Sequence, residues 1–214
     1  MIDIKYRTRI KICGITTLDD AKQIAQLGAD SIGLVFHGKS PRYINLETAL
    51  KIRQNLPAFV TLTALFMDEQ QAWVHQVIET IQPDLLQFHG NETPADCLFW
   101  KRPYIKAIPM GSTSDANAYA ANYPEAHGFL LDSNMAGRQG GSGDTFDWSK
   151  IPSRFAYPLI LAGGLTPKNV AQAIAEVRPW AVDVSSGVEI KRGAKDSNLI
   201  KQFIYEVNRV NANS

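Results

Sequence analysis

Leu161-Ala162-Gly163-Gly164-Leu165-Thr166-Pro167 and, further on, Asp183-Val184-Ser185-Ser186-Gly187 each close an apolar run on glycine or serine. The first opens a helix: Thr166 suits an N-cap, Pro167 suits the first turn, and Val170, Ala173, Ile174 and Val177 recur at helical spacing. Small residues at two neighbouring strand ends let backbone N–H groups come close to an anion. Either stretch alone is an ordinary tight turn. In an eight-fold β/α barrel, however, the loops after strands 7 and 8 are the usual seat of a phosphate. The pair therefore predicts such a site if the preceding chain supplies six earlier β/α units.

It does. Ile10–Ile15 reads as a strand with Arg9, Lys11 and Cys13 on one face and Ile10 and Ile12 on the other, followed by a helix capped by Thr16 or Thr17 and stopped at Gly28. Ser31–Phe36 is the second strand, and Ser40-Pro41-Arg42 lies in the loop beyond it. Phe59–Phe66 is nearly continuous in strand formers, as befits a parallel strand buried on both faces, and Asp68 is placed to cap the helix of Val74, Val77, Ile78 and Ile81. Asp84–Phe88 leads to His89-Gly90, Tyr104–Ile108 leads to a helix from Asp115 to Asn122, and Gly128–Leu131 ends at Asp132. A terminal helix starts near Asp196. Eight strand-forming runs alternating with seven or eight helical ones predict a single-domain α/β chain, a (β/α)8 barrel of eight parallel strands spanning residues 1–214. An open doubly wound sheet would want Gly-x-Gly-x-x-Gly after strand 1, and Cys13-Gly14-Ile15-Thr16 is not that turn.

Composition narrows the partners. Lys and Arg total 22 against 21 Asp and Glu, a formal charge of +1, so there is no electrostatic footprint for nucleic acid or an anionic membrane. No run approaches a membrane span, residues 1–7 lack a signal-peptide core, and two cysteines make no disulfide framework. A reducing cytoplasm is the expected setting, and the chain is expected as monomer or homodimer. No His-Glu-x-x-His or comparable spacing suggests a metal.

Barrel chemistry sits at the C-terminal ends of the strands. Cys13 closes strand 1 beside Lys11, whose ammonium favours thiolate and would lower a pKa that starts near ~8.5; Cys97, inside a helix, reads as a small apolar residue. Asp132 either caps a loop or, desolvated under the glycine-rich stretch Ser133–Thr145, holds a proton as a general acid. Arg42 is either a surface charge or a bidentate clamp for a carboxylate, and His89 either bonds the backbone or orients polar groups. Asp183 is placed to pair with Lys11 across the seam between strands 8 and 1.

Seven motifs in order along the chain then resemble the phosphoribosylanthranilate isomerase family. They are Lys11–Thr16, Ser40-Pro41-Arg42, Gln87–Gly90, Leu130-Leu131-Asp132, Gly140–Gly143 with Phe146-Asp147-Trp148, Leu161–Leu165 and Asp183–Glu189. The resemblance implies an Amadori rearrangement of an aminoaldose to an aminoketose in tryptophan biosynthesis, acting on a phosphosugar–anthranilate substrate. It implies Asp132 as the acid that opens the furanose ring and Cys13 as the base that removes the C2′ proton. Arg42 would hold the anthranilate carboxylate, and the turns Gly163-Gly164 and Ser185-Ser186-Gly187 would hold the phosphate. His89 and Asp183 fall at substrate-facing positions. No cofactor is implied, since the iminium formed on ring opening is itself the electron sink.

Departures are Phe88, where the family commonly has leucine, and Asp144, a negative charge within the glycine-rich stretch. Residues 1–8 lie outside the resemblance as an N-terminal extension. The related histidine-pathway isomerase would carry aspartate where this chain has Cys13, and indole-glycerol-phosphate synthase would need a lysine at a strand end for its acid step. A non-catalytic phosphosugar-binding barrel would have no use for Cys13 and Asp132 together.

Overall fold

The computed structural model describes residues 7–133 and 146–212. Eight parallel strands, β1 (Arg9–Cys13), β2 (Ser31–Val35), β3 (Thr61–Phe66), β4 (Leu85–Phe88), β5 (Tyr104–Pro109), β6 (Phe129–Asp132), β7 (Leu159–Leu161) and β8 (Ala181–Val184), pair in sequence order and close β8 onto β1. The register sets Lys11 opposite Asp183 and Cys13 opposite Gly33. Helices α1 (Leu18–Gln26), α2 (Leu46–Asn55), α3 (Gln71–Ile81), α4 (Pro94–Leu98), α5 (Ala116–Ala121), α6 (Val170–Val177) and α7 (Ser197–Ala212) form the outer ring. Between β6 and β7 the described crossover carries one 3-10 turn, Trp148–Lys150.

Alternation along each strand divides the apolar residues into two cores. Ile10, Ile12, Ile32, Leu34, Leu62 and Phe66 face the helices and pack against Ala21, Ile24, Val74, Val77 and Phe203. Phe36, Phe66, Phe88 and Tyr104 form a row in this layer, with successive ring centroids 5.9, 6.2 and 5.8 Å apart. Phe88 is therefore a packing partner between two aromatic rings, at the spacing that favours such pairs. The barrel interior is asymmetric. Ile105, Ala107, Leu130, Ile160, Ala162 and Ala181 fill the β5–β8 side, whereas β1–β4 carry buried Lys11, Thr63 and Gln87 inward. On the β5–β8 side the apolar filling gives way to buried Asp132 at the end of β6 and Asp183 in β8, so polar groups enter the interior from both halves.

The helix starts follow their caps. Thr17 Oγ1 accepts from the Asp20 N–H at 3.1 Å, Asn45 Oδ1 from the Thr48 N–H at 2.8 Å, and Asp115 Oδ1 from the Asn117 N–H at 2.9 Å. Three local expectations need correction. β3 begins at Thr61 because Phe59 takes a left-handed conformation (φ 71°) and is fully exposed. Asp68 does not cap α3, whose N-cap is Gln70; it sits at φ 55° and turns its carboxylate to the Asn91 N–H instead. α6 begins at Val170, one turn after Thr166, because Asn169 Oδ1 takes the Thr166 N–H at 2.8 Å and a turn intervenes.

Residues 134–145, which include Asp144 and most of the glycine-rich stretch, lie outside the described residues, as do residues 1–6. Of the N-terminal extension, Thr8 exchanges two backbone bonds with the Asn211 side chain, 2.9 and 3.0 Å, fastening the start of β1 to α7. Among the described residues no helix is long and apolar enough to cross a membrane.

Candidate active site

A cavity opens at the C-terminal mouth of the barrel. Cys13, Arg42, His89, Asp132, Gly163, Gly164, Asp183, Ser185 and Ser186 line it. Gly187 is not on its wall. A Cβ there would collide with the Leu165 carbonyl, so only glycine lets the β8 turn lie this close to the β7 turn.

Cys13 sits at the seam of β1 and β8. Lys11 Nζ, buried, donates to Asp183 Oδ1 at 2.9 Å, which realises the pairing expected across the seam. Burial opposes the charge on Lys11, but Asp183 and then Cys13 outweigh it and hold the ammonium above its ordinary pKa. The expectation for the thiol reverses: burial pushes the Cys13 pKa up, and the Lys11 charge only partly offsets this. Adjacency to an ammonium was legible in the strand, but the desolvation of a residue only 5% exposed was not. The thiolate, once formed, is a stronger base for that reason. Gly33 makes the arrangement possible, since a Cβ there would stand 2.7 Å from Cys13 Sγ and 3.1 Å from Lys11 Nζ.

Arg42 reaches the cavity from the loop after β2 and crosses Gly14, whose positive φ (77°) and missing side chain leave room for its stem. It is buried and already forked: Nε donates to Glu189 Oε1 at 2.7 Å and Nη2 to Oε2 at 2.9 Å. A bidentate clamp on a ligand through that edge is therefore excluded. The opposite edge of the guanidinium, Nη1 with the second Nη2 hydrogen, is the one a ligand would use. Glu189 also accepts from Lys195 Nζ at 2.9 Å, and Lys195 in turn donates to the Ser185 carbonyl at 3.0 Å. Burial raises the Glu189 pKa, but hydrogen bonds and charge from Arg42 and Lys195 outweigh it and leave the carboxyl below its ordinary value. Burial pulls Lys195 down against that attraction. The hairpin of β9 (Glu189–Lys191) and β10 (Ala194–Lys195) thus fixes both Arg42 and the Ser185 turn.

Across the mouth, His89 Nε2 lies 3.1 Å from Asp132 Oδ2, and Ser133 Oγ donates to Asp132 Oδ1 at 3.4 Å. His89 Nδ1 faces Gln87 Nε2 at 3.0 Å. Gly163 (φ 77°) and Gly164 (φ 65°) both need the left-handed region, and Gly163 further lets the Ser133 backbone approach. Val35, Pro41, Leu65 and Met67 bring apolar groups to the lining, and Arg192, between β9 and β10, adds a cation to it. Reading the strand ends missed Gln87, Gly33, Glu189, Lys195 and Arg192 as parts of the site. Gln87 and Glu189 lay within the Gln87–Gly90 and Asp183–Glu189 motifs; Gly33, Lys195 and Arg192 carry no signal until the barrel closes. Among the described residues no group of His, Cys, Asp and Glu is placed to hold a metal ion.

The arrangement is that of a (β/α)8-barrel enzyme whose β7 and β8 turns, a thiol and a carboxyl line a common cavity. The sequence pattern of the family described as N-(5'phosphoribosyl)anthranilate (PRA) isomerase matches residues 10–206. N-(5'-phosphoribosyl)anthranilate isomerase of Pseudomonas putida (strain W619) is 50% identical over 199 residues, covering 93% of this chain and 97% of its own length. Its counterpart from Nitrosococcus oceani is 47% identical over 205 residues, covering 96% and 100%. The crystal structure of phosphoribosyl anthranilate isomerase from Thermotoga maritima superposes with a TM-score of 0.84 at 41% identity, covering 94% of this chain and 99% of that one. A second similar structure (TM-score 0.80, 41% identity, 94% and 99% covered) is a phosphoribosyl anthranilate isomerase in complex with reduced 1-(o-carboxyphenylamino)-1-deoxyribulose 5-phosphate. The chain belongs to the phosphoribosylanthranilate isomerase family.

Proposed function

We propose that this chain converts N-(5'-phosphoribosyl)anthranilate to 1-(2-carboxyphenylamino)-1-deoxyribulose 5-phosphate by an Amadori rearrangement, as a step of tryptophan biosynthesis. The observation that carries the reading is that Cys13 and Asp132, from strands on different sides of the closed barrel, line one cavity. Asp132, in its protonated form, gives its proton to the furanose ring oxygen as the C1′–O bond breaks, and the anilino nitrogen becomes an iminium. The Cys13 thiolate then takes the proton from C2′, and the electron pair of that C–H bond flows to the iminium nitrogen. The resulting enolamine tautomerises to the ketone.

The surroundings support each role. Lys11, held charged by Asp183, lies where it stabilises the thiolate that the reaction requires. The unused edge of Arg42 is available for the anthranilate carboxylate, with Glu189 fixing its direction. Val35, Leu65 and Met67 offer the apolar surface that an aromatic ring would cover. The Gly163-Gly164 and Ser185-Ser186-Gly187 turns stand where barrel enzymes hold a phosphate, with Arg192 adding positive charge at the rim. The experiment is to add the full chain to freshly prepared phosphoribosylanthranilate and follow its fluorescence. Enzyme-dependent decay faster than the spontaneous hydrolysis, with the aminoketose as product, is expected; decay at the spontaneous rate would reject the reading.

A further inference from the structure

Gln87 is fully buried on β4, and its Oε1 has no hydrogen-bond partner among the described residues, although Nε2 stands 3.0 Å from His89 Nδ1. An orphan carbonyl on a buried side chain beside the mouth cavity is unfavourable and calls for a reason. The side chain ends a short relay. His89 lies between the Gln87 amide and the Asp132 carboxyl, with one ring nitrogen facing each. A carboxamide is the one neutral side chain that presents a donor and an acceptor related by a half turn.

We propose that Gln87 is a positioning residue whose amide orientation selects the His89 tautomer and so sets which proton state of Asp132 the site favours. The inference rests on the reading of Asp132 as the acid. With the amide nitrogen toward the ring, Nδ1 must be the acceptor, so Nε2 carries the hydrogen and donates to an ionised Asp132. With the amide turned over, Oε1 accepts from Nδ1–H. Nε2 then presents its lone pair, and Asp132 keeps its proton on oxygen, donating to that lone pair. This second state is the one ready to open the furanose ring. Passing between the two moves only N–H and O–H protons: the ring releases one proton to solvent and takes another on the opposite nitrogen, while Asp132 gains or loses its own. In either orientation one amide atom is left unpaired, so neither traps the relay. A carboxylate or an apolar residue at position 87 would lack this balance.

Other charged groups beside His89 bind the loop that carries it. Lys106 from β5 donates to the Gly90 carbonyl at 2.6 Å and to Glu92 Oε2 at 3.2 Å, while Glu92 accepts from the Gly90 N–H at 2.9 Å. They fix the backbone beside the ring; Asp132 is the titratable group that the ring nitrogen meets.

The test is nitrogen NMR of the His89 ring in the full chain, wild type and Gln87→Glu, across the pH range over which the enzyme is folded. The kcat and KM profiles of Gln87→Glu and the near-isosteric Gln87→Met accompany it. In the wild type, His89 is expected to carry hydrogen on Nδ1 alone when Asp132 holds its proton and on Nε2 alone when Asp132 is ionised. Gln87→Glu should keep hydrogen on Nδ1 throughout and move the alkaline limb of kcat/KM to higher pH. Gln87→Met should lower kcat about tenfold, the scale for loss of a histidine's outer partner, with KM changed less than about twofold. A wild-type ring that never carries hydrogen on Nδ1 alone, including one with hydrogen on both nitrogens facing an ionised Asp132, or variants with wild-type pH profiles and kcat, would overturn the proposal. Absence of turnover by the wild type would instead reject the reading of the acid, and the ring titration separates the two.

Discussion

Gly33→Ala probes the proposed base, Cys13, without replacing it. The added methyl would stand 2.7 Å from Cys13 Sγ, 3.1 Å from Lys11 Nζ and 3.1 Å from the Cys13 Cα. Carbon and sulfur rest in contact at roughly 3.5–4.0 Å, so the sulfur must retreat by about 1 Å. A displacement of that size at a reacting atom lowers turnover by ~10²-fold. The fold should tolerate the change. Gly33 does not use positive φ, and alanine in a strand gains ~0.5–1 kcal/mol over glycine, which partly offsets ~1–3 kcal/mol of overpacking. The assay is steady-state fluorescence decay of phosphoribosylanthranilate, beside a urea melt. Expected are kcat lower by about two orders of magnitude, a midpoint close to wild type, and little additional loss when the change is made in Cys13→Ser. Wild-type kcat in a folded Gly33→Ala protein would refute the placement of the thiol at the reacting carbon.

Further outcomes follow from the buried charges. Glu189→Gln removes the carboxylate shared by Arg42 and Lys195, so KM should rise as Arg42 loses its orientation, and thermal stability should fall. The Glu189 carboxyl is held below its ordinary value of 4.5, so its contribution to stability is present above that pH and is lost as the pH falls through the lower folded value. Acid unfolding of Glu189→Gln should lack that component in calorimetry between neutral and acid pH. Cys97, buried in α4, is pushed from 9.0 up to about 12 by desolvation. The folded state therefore holds a proton that the unfolded chain releases, and stability declines from pH 9 towards 12; Cys97→Ser should flatten that decline in denaturant melts.

Much of this was open to a reader of the sequence, and the reason is geometric. Parallel strands of one barrel end on one face, so Cys13, His89, Asp132, Gly163 and Ser185 could be gathered as strand-end residues before any coordinates. The Lys11–Asp183 pair was readable because closure puts β8 beside β1. What escaped depends on packing between distant segments. Gly33 reads as an unremarkable strand glycine until β2 is laid against Cys13. The grip of Glu189 on Arg42 joins residues far apart in the chain, so Arg42 looked like a free clamp. Phe88 stands out in sequence only as a departure from leucine, yet it bridges Phe66 and Tyr104. The Cys13 pKa was misjudged because a neighbouring charge is visible in sequence and desolvation is not.

The central claim is that Cys13 and Asp132 are the base and the acid for one sugar. The most direct measurement is the kcat of Cys13→Ser and of Asp132→Asn, taken with the affinity of each for reduced 1-(o-carboxyphenylamino)-1-deoxyribulose 5-phosphate. Each kcat should fall by ~10²–10⁴-fold while the affinity changes little. Either variant turning over phosphoribosylanthranilate at the wild-type rate would contradict the account.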